Sequence, residues 1–168
     1  MILRQEIAAD VVALETINTL AFGRPNEAAL VAALRAQAHP FLSLVAEIQG
    51  QIVGHICFSP ITINGDYETS TEIGLAPLAV LPDWQNRGIG SALVRAGLAE
   101  CQRLGHYVVV VLGHPDYYPR FGFTVASAKG LRCEYDVRDE AFMVAELTPG
   151  ALAGRTGLVK YHPAFQTV

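Results

Sequence analysis

The sequence is poor in lysine and in long apolar runs, and each shortage argues against a class of protein. Lysine occurs only as Lys129 and Lys160, and the net charge is -4. Proteins that bind nucleic acid usually present a basic face, so we expect no nucleic-acid partner. No apolar run reaches the roughly 18 residues that cross a membrane. The first residues also lack the basic and apolar regions of a signal peptide. We therefore expect a cytoplasmic protein with no membrane partner.

Cysteine and histidine are also too scattered to build a metal site. The three cysteines, Cys57, Cys101 and Cys133, are far apart and odd in number, which matches neither a zinc spacing nor a disulfide framework. We interpret them as free thiols in a reducing compartment. The five histidines form no HxxxH or HExxH pair. We expect no bound metal.

The composition predicts one compact domain. The chain has 168 residues, of which 51% are hydrophobic and 17% are charged. This length fits a single domain, which we place at residues 1–168. The apolar content suffices for a sizeable core, and the low charge argues against disorder.

The spacing of apolar residues predicts an α/β fold with a mixed sheet. Helical spacing alternates with period-two runs, and Asn64-Gly65-Asp66 is typical of a hairpin turn. Residues after Gly150 read as irregular. The expected helices are 10–22, 26–38 and 88–104, with a short one at 117–121, and the expected strands are 2–6, 42–48, 51–63, 72–81, 107–112, 123–137 and 141–147.

The most informative feature is Gln85-x-x-Gly88-x-Gly90, which follows a predicted strand and begins a predicted helix. Glycine lets a phosphate approach the backbone closely because it has no Cβ. The first N–H groups of a helix have no partner within the helix, and the helix dipole favours an anion there. The pattern predicts a diphosphate site. The alternative is a glycine-rich turn that packs the helix close to the strand.

Two rival phosphate motifs do not fit. A dinucleotide fingerprint requires a small residue three positions after Gly90, where Leu93 stands, and an acid about 20 residues after the turn, where residues 107–112 have none. A Walker loop requires Gly-Lys followed by Ser or Thr, which is absent from the sequence. An NAD enzyme and an NTPase are therefore disfavoured.

The stretch Leu78–Leu93, LAVLPDWQNRGIGSAL, closely resembles the acyl-CoA-binding motif of the GNAT superfamily of N-acetyltransferases. Tyr117–Phe123, YYPRFGF, resembles a second element of the superfamily, an aromatic residue four positions before a Gly-Phe pair. With Gly113-His114-Pro115-Asp116 before it, the chain is similar to the YhbS-like branch. The resemblance implies a central twisted mixed β-sheet flanked by helices, and acetyl-CoA as co-substrate.

The resemblance also implies which residues bind the cofactor. Backbone groups of the strand end pair with the pantetheine arm, amides of the following turn hold the diphosphate, and the Arg87 side chain adds a charged contact. The implied cofactor-binding residues are Leu78, Ala79, Val80, Gln85, Asn86, Arg87, Gly88, Ile89, Gly90, Ser91, Gly113 and Tyr118.

Two residues are candidates for catalysis on the same resemblance. Tyr118 stands where the superfamily places the acid that protonates the leaving thiolate. The alternative is a ring that packs under the cofactor with no role in proton transfer. Glu72, near the start of the cofactor strand, is a candidate base that removes a proton from the acceptor ammonium. Its alternative is an ordinary exposed acid at a strand end.

The acceptor pocket of this fold is built partly by the first two helices and their link. Phe22 and Glu27 are the candidate acceptor-binding residues there, and Glu27 has the alternative of a first-turn acid favoured by the helix dipole. His114 is a further candidate, with loop capping as its alternative. His55, flanked by apolar residues, is interpreted as a satisfied core or pocket-wall histidine.

The resulting hypothesis is an enzyme that moves acetyl from acetyl-CoA to a primary amine by direct attack in a ternary complex. The acceptor is a small-molecule or peptide amine, and a homodimer fits a family in which dimers are common. Alternatives within enzymes are a different acyl group or a hydroxyl acceptor. Outside enzymes they are a non-catalytic acyl-CoA sensor or interaction module, and a structural protein whose glycine turn binds nothing.

Overall fold

A computed structural model describes residues 1–65 and 72–168, apart from the side chain of Thr167. The described residues form three α-helices and nine strands, which confirms the expected α/β class with a mixed sheet. No helix among these residues is long and apolar enough to cross a membrane. The helices are α1 (Val11–Phe22), α2 (Asn26–Gln37) and α3 (Ile89–Arg103), and the strands are β1 (Ile2–Gln5), β2 (Leu42–Ile48), β3 (Gln51–Ile63), β4 (Ile73–Val80), β5 (Val108–Leu112), β6 (Thr124–Val125), β7 (Leu131–Cys133), β8 (Phe142–Glu146) and β9 (Gly157–Tyr161).

The chain divides into two compact units, which we call the first and the second unit. The first unit comprises Met1–Ser59, Ala76–Gly97 and Pro163–Val168. The second unit comprises Pro60–Leu75 and Leu98–His162. Strands β3 and β4 each contribute residues to both units. A single domain over residues 1–168 stays a prediction.

The first unit combines antiparallel strands with helices packed on an apolar core. Strand β1 pairs with β2, and β2 pairs with β3. Helix α1 buries Leu14 and Ile17 against Val45 of β2 and Ala79 of β4. Burial of side chains of this size contributes roughly 1.5–3 kcal/mol each, so this cluster anchors the helix on the strands.

Helix α3 approaches β3 closely because two glycines leave room for it. A Cβ built on Gly97 of α3 would lie 2.5 Å from Cε2 of Phe58, and one on Gly54 of β3 would lie 2.9 Å from Cδ1 of Leu93. Real Cβ atoms do not approach that closely, so both positions require glycine unless a neighbour moves. These contacts position α3 against β3.

The second unit contains both parallel and antiparallel pairs. Strand β4 runs parallel to β5, with Ile73–Leu75 opposite Val109–Val111. Strand β5 is antiparallel to β8, and β8 is antiparallel to β6. Strand β9 is antiparallel to β3 and parallel to β7. Val108–Val111 of β5 are buried, as a β-branched run with no polar alternation predicts.

The structure corrects two of the expected elements. The predicted strand over 123–137 is wrong: β6 and β7 are short, and a 3-10 helix at Ala126–Lys129 separates them. Gly130, with φ of 80°, ends that helix in the left-handed conformation that favours glycine. The segment after Gly150 is not irregular throughout, because it contains β9 and the 3-10 helix Pro163–Thr167.

The hairpin turn after β3 falls partly within the described residues. Asn64 and Gly65 have φ of 61° and 86°, the conformation for which asparagine and glycine suit such a turn. Asp66, the third residue of the predicted turn, lies outside the described residues.

His55 is the centre of a buried hydrogen-bond network in the first unit. Its Nδ1 lies 3.0 Å from Nδ2 of Asn18, and its Nε2 lies 2.7 Å from Oγ of Ser43. Nδ2 of Asn18 can only donate, so Nδ1 of His55 accepts, and Nε2 carries the proton that is donated to Oγ of Ser43. Burial, followed by the charge of Arg35, lowers the pKa of His55 to about 3, although Asp10 opposes the shift. The imidazole is therefore a neutral core group.

This network predicts a loss of stability in mild acid. The unfolded chain protonates His55 near pH 6.5, whereas the folded chain resists protonation down to about pH 3. The unfolded state thus binds more protons in this window, and stability falls as the pH falls. We expect the free energy of unfolding to drop by about 2 kcal/mol between pH 7 and pH 5, measured by urea denaturation.

His39→Gln is the matched control for this measurement because His39 is exposed. That variant should keep the full pH dependence, whereas His55→Gln should flatten it. Equal stability of the unaltered protein at pH 7 and pH 5 would contradict the neutral, buried state of His55.

Candidate functional site

The turn between β4 and α3 is held by hydrogen bonds of its own residues. A 3-10 helix at Pro82–Trp84 follows the strand, and the amide of Trp84 donates to the carbonyl of Leu81 at 2.8 Å. The side chain of Gln85 reaches back, and its Nε2 donates to the carbonyl of Val80 at 3.0 Å. This hydrogen bond connects the end of β4 to the start of the glycine turn.

The backbone at the start of α3 presents amide hydrogens for which the described residues offer no acceptor. Asn86 and Gly88 have positive φ, 61° and 82°. The first helical hydrogen bond runs from the amide of Ala92 to the carbonyl of Gly88 at 3.0 Å. Within the described part of the chain, the amides of Asn86–Gly90 have no acceptor. Successive amides in such a conformation, at the positive end of a helix dipole, suit an anion.

The strand that precedes this turn has one face in the core and one face partly exposed. Ala79 is buried with α1, whereas Leu78 and Val80 are partly exposed. The parallel register of β4 with β5 covers Ile73–Leu75. Pro77 has no N–H to donate to a ladder, so it suits a place where regular pairing stops.

Tyr118 begins a short 3-10 helix, Tyr118–Phe121, and its ring is buried. The ring packs edge-on against Tyr117, with centroids 5.1 Å apart, and against Phe123, with centroids 5.6 Å apart. A Cβ on Gly113 would lie 2.8 Å from Cδ2 of Tyr118, so glycine at 113 leaves space for the ring. Burial, followed by the neighbouring Tyr117, raises the pKa of Tyr118 to about 12. The phenol therefore keeps its proton at neutral pH.

Glu72 does not lie exposed at the strand end, which was its alternative interpretation. Its side chain is 2% exposed and pairs with the guanidinium of Arg155, whose side chain is 42% exposed. Arg155 itself lies in the segment between β8 and β9. This pair was not predictable from the sequence, because the two residues are more than 80 positions apart and neither belongs to the glycine motif.

Of the expected acceptor-binding residues, Phe22 and Glu27 belong to the first unit and His114 to the second. Phe22 ends α1 and is exposed, and Glu27, in the first turn of α2, is buried and bound by the guanidinium of Arg24. The charge of Glu27 is therefore already balanced by a neighbouring side chain. His114 is exposed, and its carbonyl caps the turn before Tyr118 by accepting from the amide of Tyr117 at 3.1 Å.

Two of the three cysteines are poor nucleophiles in this structure. Cys57 and Cys101 are buried, and burial raises the pKa of both thiols, that of Cys101 to about 12. A thiol rather than a thiolate is not an effective nucleophile. Across residues 1–65 and 72–168, no group of three His, Cys, Asp or Glu side chains is placed to hold a metal ion.

Comparison with known proteins agrees with this fold. The family described as "Acetyltransferase (GNAT) family" matches residues 11–123. The chain is 39% identical over 166 residues to "Uncharacterized N-acetyltransferase YhbS" of Escherichia coli K12, with 98% of each protein covered. These matches define an acyltransferase. The chain belongs to the acetyltransferase (GNAT) family.

Two solved structures match nearly the whole chain. The crystal structure of YhbS from Escherichia coli in complex with CoA has a TM-score of 0.91 at 37% identity, covering 98% of this chain and 91% of that one. A GNAT family acetyltransferase from Brucella melitensis in complex with acetyl-CoA has a TM-score of 0.81 at 36% identity, covering 98% and 97%. The expected GNAT fold is confirmed.

Proposed function

We propose that this chain binds acetyl-CoA and transfers its acetyl group to a primary amine. One observation carries the proposal: the amides of Asn86–Gly90 precede the first hydrogen bond of α3 and have no acceptor among the described residues. That arrangement suits a diphosphate, and CoA contains one. The relatives whose structures are solved with CoA and with acetyl-CoA support the same assignment.

The proposed cofactor site combines the turn with the strand before it. The amides of Asn86–Gly90 hold the diphosphate, and the backbone of Leu78–Val80 pairs with the pantetheine arm. The amide of Gln85 is not part of this set, because it donates to the carbonyl of Pro82 at 3.3 Å. Gly113 leaves space for the ring of Tyr118, whose position the resemblance assigns to the cofactor's reactive end. When bound, acetyl-CoA supplies a thioester that an uncharged amine attacks, with loss of the CoA thiolate.

Tyr118 is the proposed general acid that returns a proton to the thiolate. Its pKa of about 12 keeps the phenol protonated at neutral pH. General acid catalysis contributes typically 10²–10⁴-fold to a rate. The raised pKa of Cys57 and Cys101 argues against a covalent acyl-enzyme on those thiols and favours direct attack in a ternary complex.

Glu72 is the proposed base for the acceptor ammonium, directly or through water. It is a buried carboxylate whose cation partner, Arg155, extends to the surface. Phe22, Glu27 and His114 are the proposed acceptor-binding residues. The proposed acceptor is a small-molecule or peptide amine met in the cytoplasm, and a homodimer is the proposed assembly.

Gly88→Glu tests the cofactor site. The added carboxylate repels the diphosphate and fills the space beside the amides, so we expect binding of acetyl-CoA to be lost. In a thermal-shift titration, acetyl-CoA should raise the melting temperature of the unaltered protein by mass action. It should leave that of Gly88→Glu unchanged.

Gly105→Glu is a closely matched control for that variant. Gly105 follows the other end of α3, and its φ of 87° is close to the 82° of Gly88. Because the two φ angles are similar, glutamate causes similar backbone strain at both positions, and it adds the same charge. Neither position has a described atom within 4 Å of an added Cβ, so neither substitution causes a steric clash at that atom. Equal affinity for acetyl-CoA in both variants would reject the proposed phosphate site.

Tyr118→Phe tests the catalytic proposal. The phenyl ring keeps the packing and removes the proton donor, so we expect kcat to fall by about 10²-fold or more while the Kd for acetyl-CoA stays nearly the same. Release of free thiol, followed with a panel of polyamines, aminoglycosides, amino acids and peptides, measures turnover. It also separates an enzyme from a module that only binds acyl-CoA.

Tyr117→Phe removes a hydroxyl from the adjacent ring and serves as the control. Its turnover should remain close to that of the unaltered protein. Unchanged kcat in Tyr118→Phe would remove Tyr118 as the acid and leave it the role of a packing ring.

A further inference from the structure

The indole of Trp84 and the guanidinium of Arg87 stack on each other within the cofactor turn. Cζ of Arg87 lies 5.1 Å from the centre of the Trp84 ring. Trp84, the only tryptophan in the sequence, ends the 3-10 helix before the turn, and its side chain is half-buried. Arg87 is exposed and lies between Asn86 and Gly88, the two residues with positive φ. A cation at this distance over an indole is attracted by the ring's electron density.

Arg87 differs from most arginines of the described residues because no carboxylate neutralises it. No carboxylate among residues 1–65 and 72–168 lies within ion-pair distance of its guanidinium, not even that of Asp83 nearby in sequence. Its positive charge therefore remains available to an anion. The arginines that do pair with carboxylates are Arg4, Arg24, Arg35, Arg103, Arg138 and Arg155.

A guanidinium that stacks on a ring keeps more of its N–H donors available to a ligand than one that pairs with a carboxylate. The ring contacts the face of the group, whereas the N–H donors lie along its edge. Those donors stay free for a bidentate contact with phosphate. The ring also restrains a long side chain that otherwise loses rotamer freedom when it binds. Trp84 thus orders Arg87 without consuming its hydrogen-bonding capacity.

We propose that Trp84 is a positioning residue for the cofactor. It holds the Arg87 guanidinium beside the amides of Asn86–Gly90, so that backbone and side chain meet the same diphosphate. Arg87 makes the contact, and Trp84 acts only through Arg87. This inference rests on the proposed function, because it deepens the description of the site where CoA binds.

A double-mutant cycle tests the inference. The Kd for CoA is measured by isothermal titration calorimetry for the unaltered protein, Trp84→Leu, Arg87→Met and the double variant. We expect Trp84→Leu alone to weaken binding about two- to fivefold, the range of an exposed cation–π contact. In the Arg87→Met background the same change should cause no further loss, because the partner is absent.

Two further measurements separate positioning from simple packing. Trp84→Phe keeps an aromatic face and should restore most of the affinity that Trp84→Leu loses. The loss in Trp84→Leu should also shrink between about 0.05 and 0.5 M salt, because the contact between Arg87 and phosphate is screened. Arg138→Met removes an exposed arginine with no role in the site and should leave the Kd unchanged.

The outcomes distinguish this inference from the function on which it rests. If Trp84→Leu weakens binding equally in both backgrounds, or not at all, the positioning role is overturned while CoA binding stands. If Trp84→Phe binds CoA as weakly as Trp84→Leu, the aromatic face does not position Arg87 and the inference fails. If the unaltered protein shows no heat of binding with CoA, the proposed function is rejected, and this inference with it.

Discussion

The first amides of an α-helix find no acceptor within the helix, and the proposed site depends on this constraint. At the start of α3, Asn86 and Gly88 take the left-handed conformation, and the first helical hydrogen bond is donated by the amide of Ala92. The amides of Asn86–Gly90, which have no acceptor among the described residues, are therefore available to an anion. The rest of the first unit holds that backbone in place.

Several features of the first unit fix the position of these amides. The side chain of Gln85 binds the carbonyl of Val80, which joins the turn to the end of β4. Gly97 lets α3 lie directly against the ring of Phe58, so the helix cannot move closer to β3. Trp84 stacks on Arg87, the cationic side chain of the turn. The amides are therefore preorganised, which lowers the entropic cost of binding a diphosphate.

Sequence periodicity located most of the fold, for reasons that are visible in particular elements. Strands β2 and β3 begin and end at the predicted residues. Both are long, and the glutamine and glycine between them form an evident turn. The helices were predicted within about one residue of their ends, since their apolar faces repeat at helical spacing. The glycine turn was identified because its residues are contiguous and its chemistry is that of the backbone.

Features that depend on distant contacts were not predictable in this way. Strand β9 pairs with β3 and β7, which lie far away in sequence, and its five residues carry no signal of their own. Glu72 is buried in an ion pair with Arg155, which is distant in sequence. Glu27 pairs with Arg24, a near neighbour whose side-chain orientation the sequence does not specify. The stacking of Arg87 on Trp84 likewise depends on the path of the turn rather than on residue type.

The central claim is tested most directly by a crystal structure of this protein with bound CoA. We expect oxygens of the diphosphate to accept hydrogen bonds from the amides of Asn86–Gly90, at distances of about 2.7–3.2 Å. A complex in which those amides bond to the protein's own groups, with the diphosphate elsewhere, would contradict it.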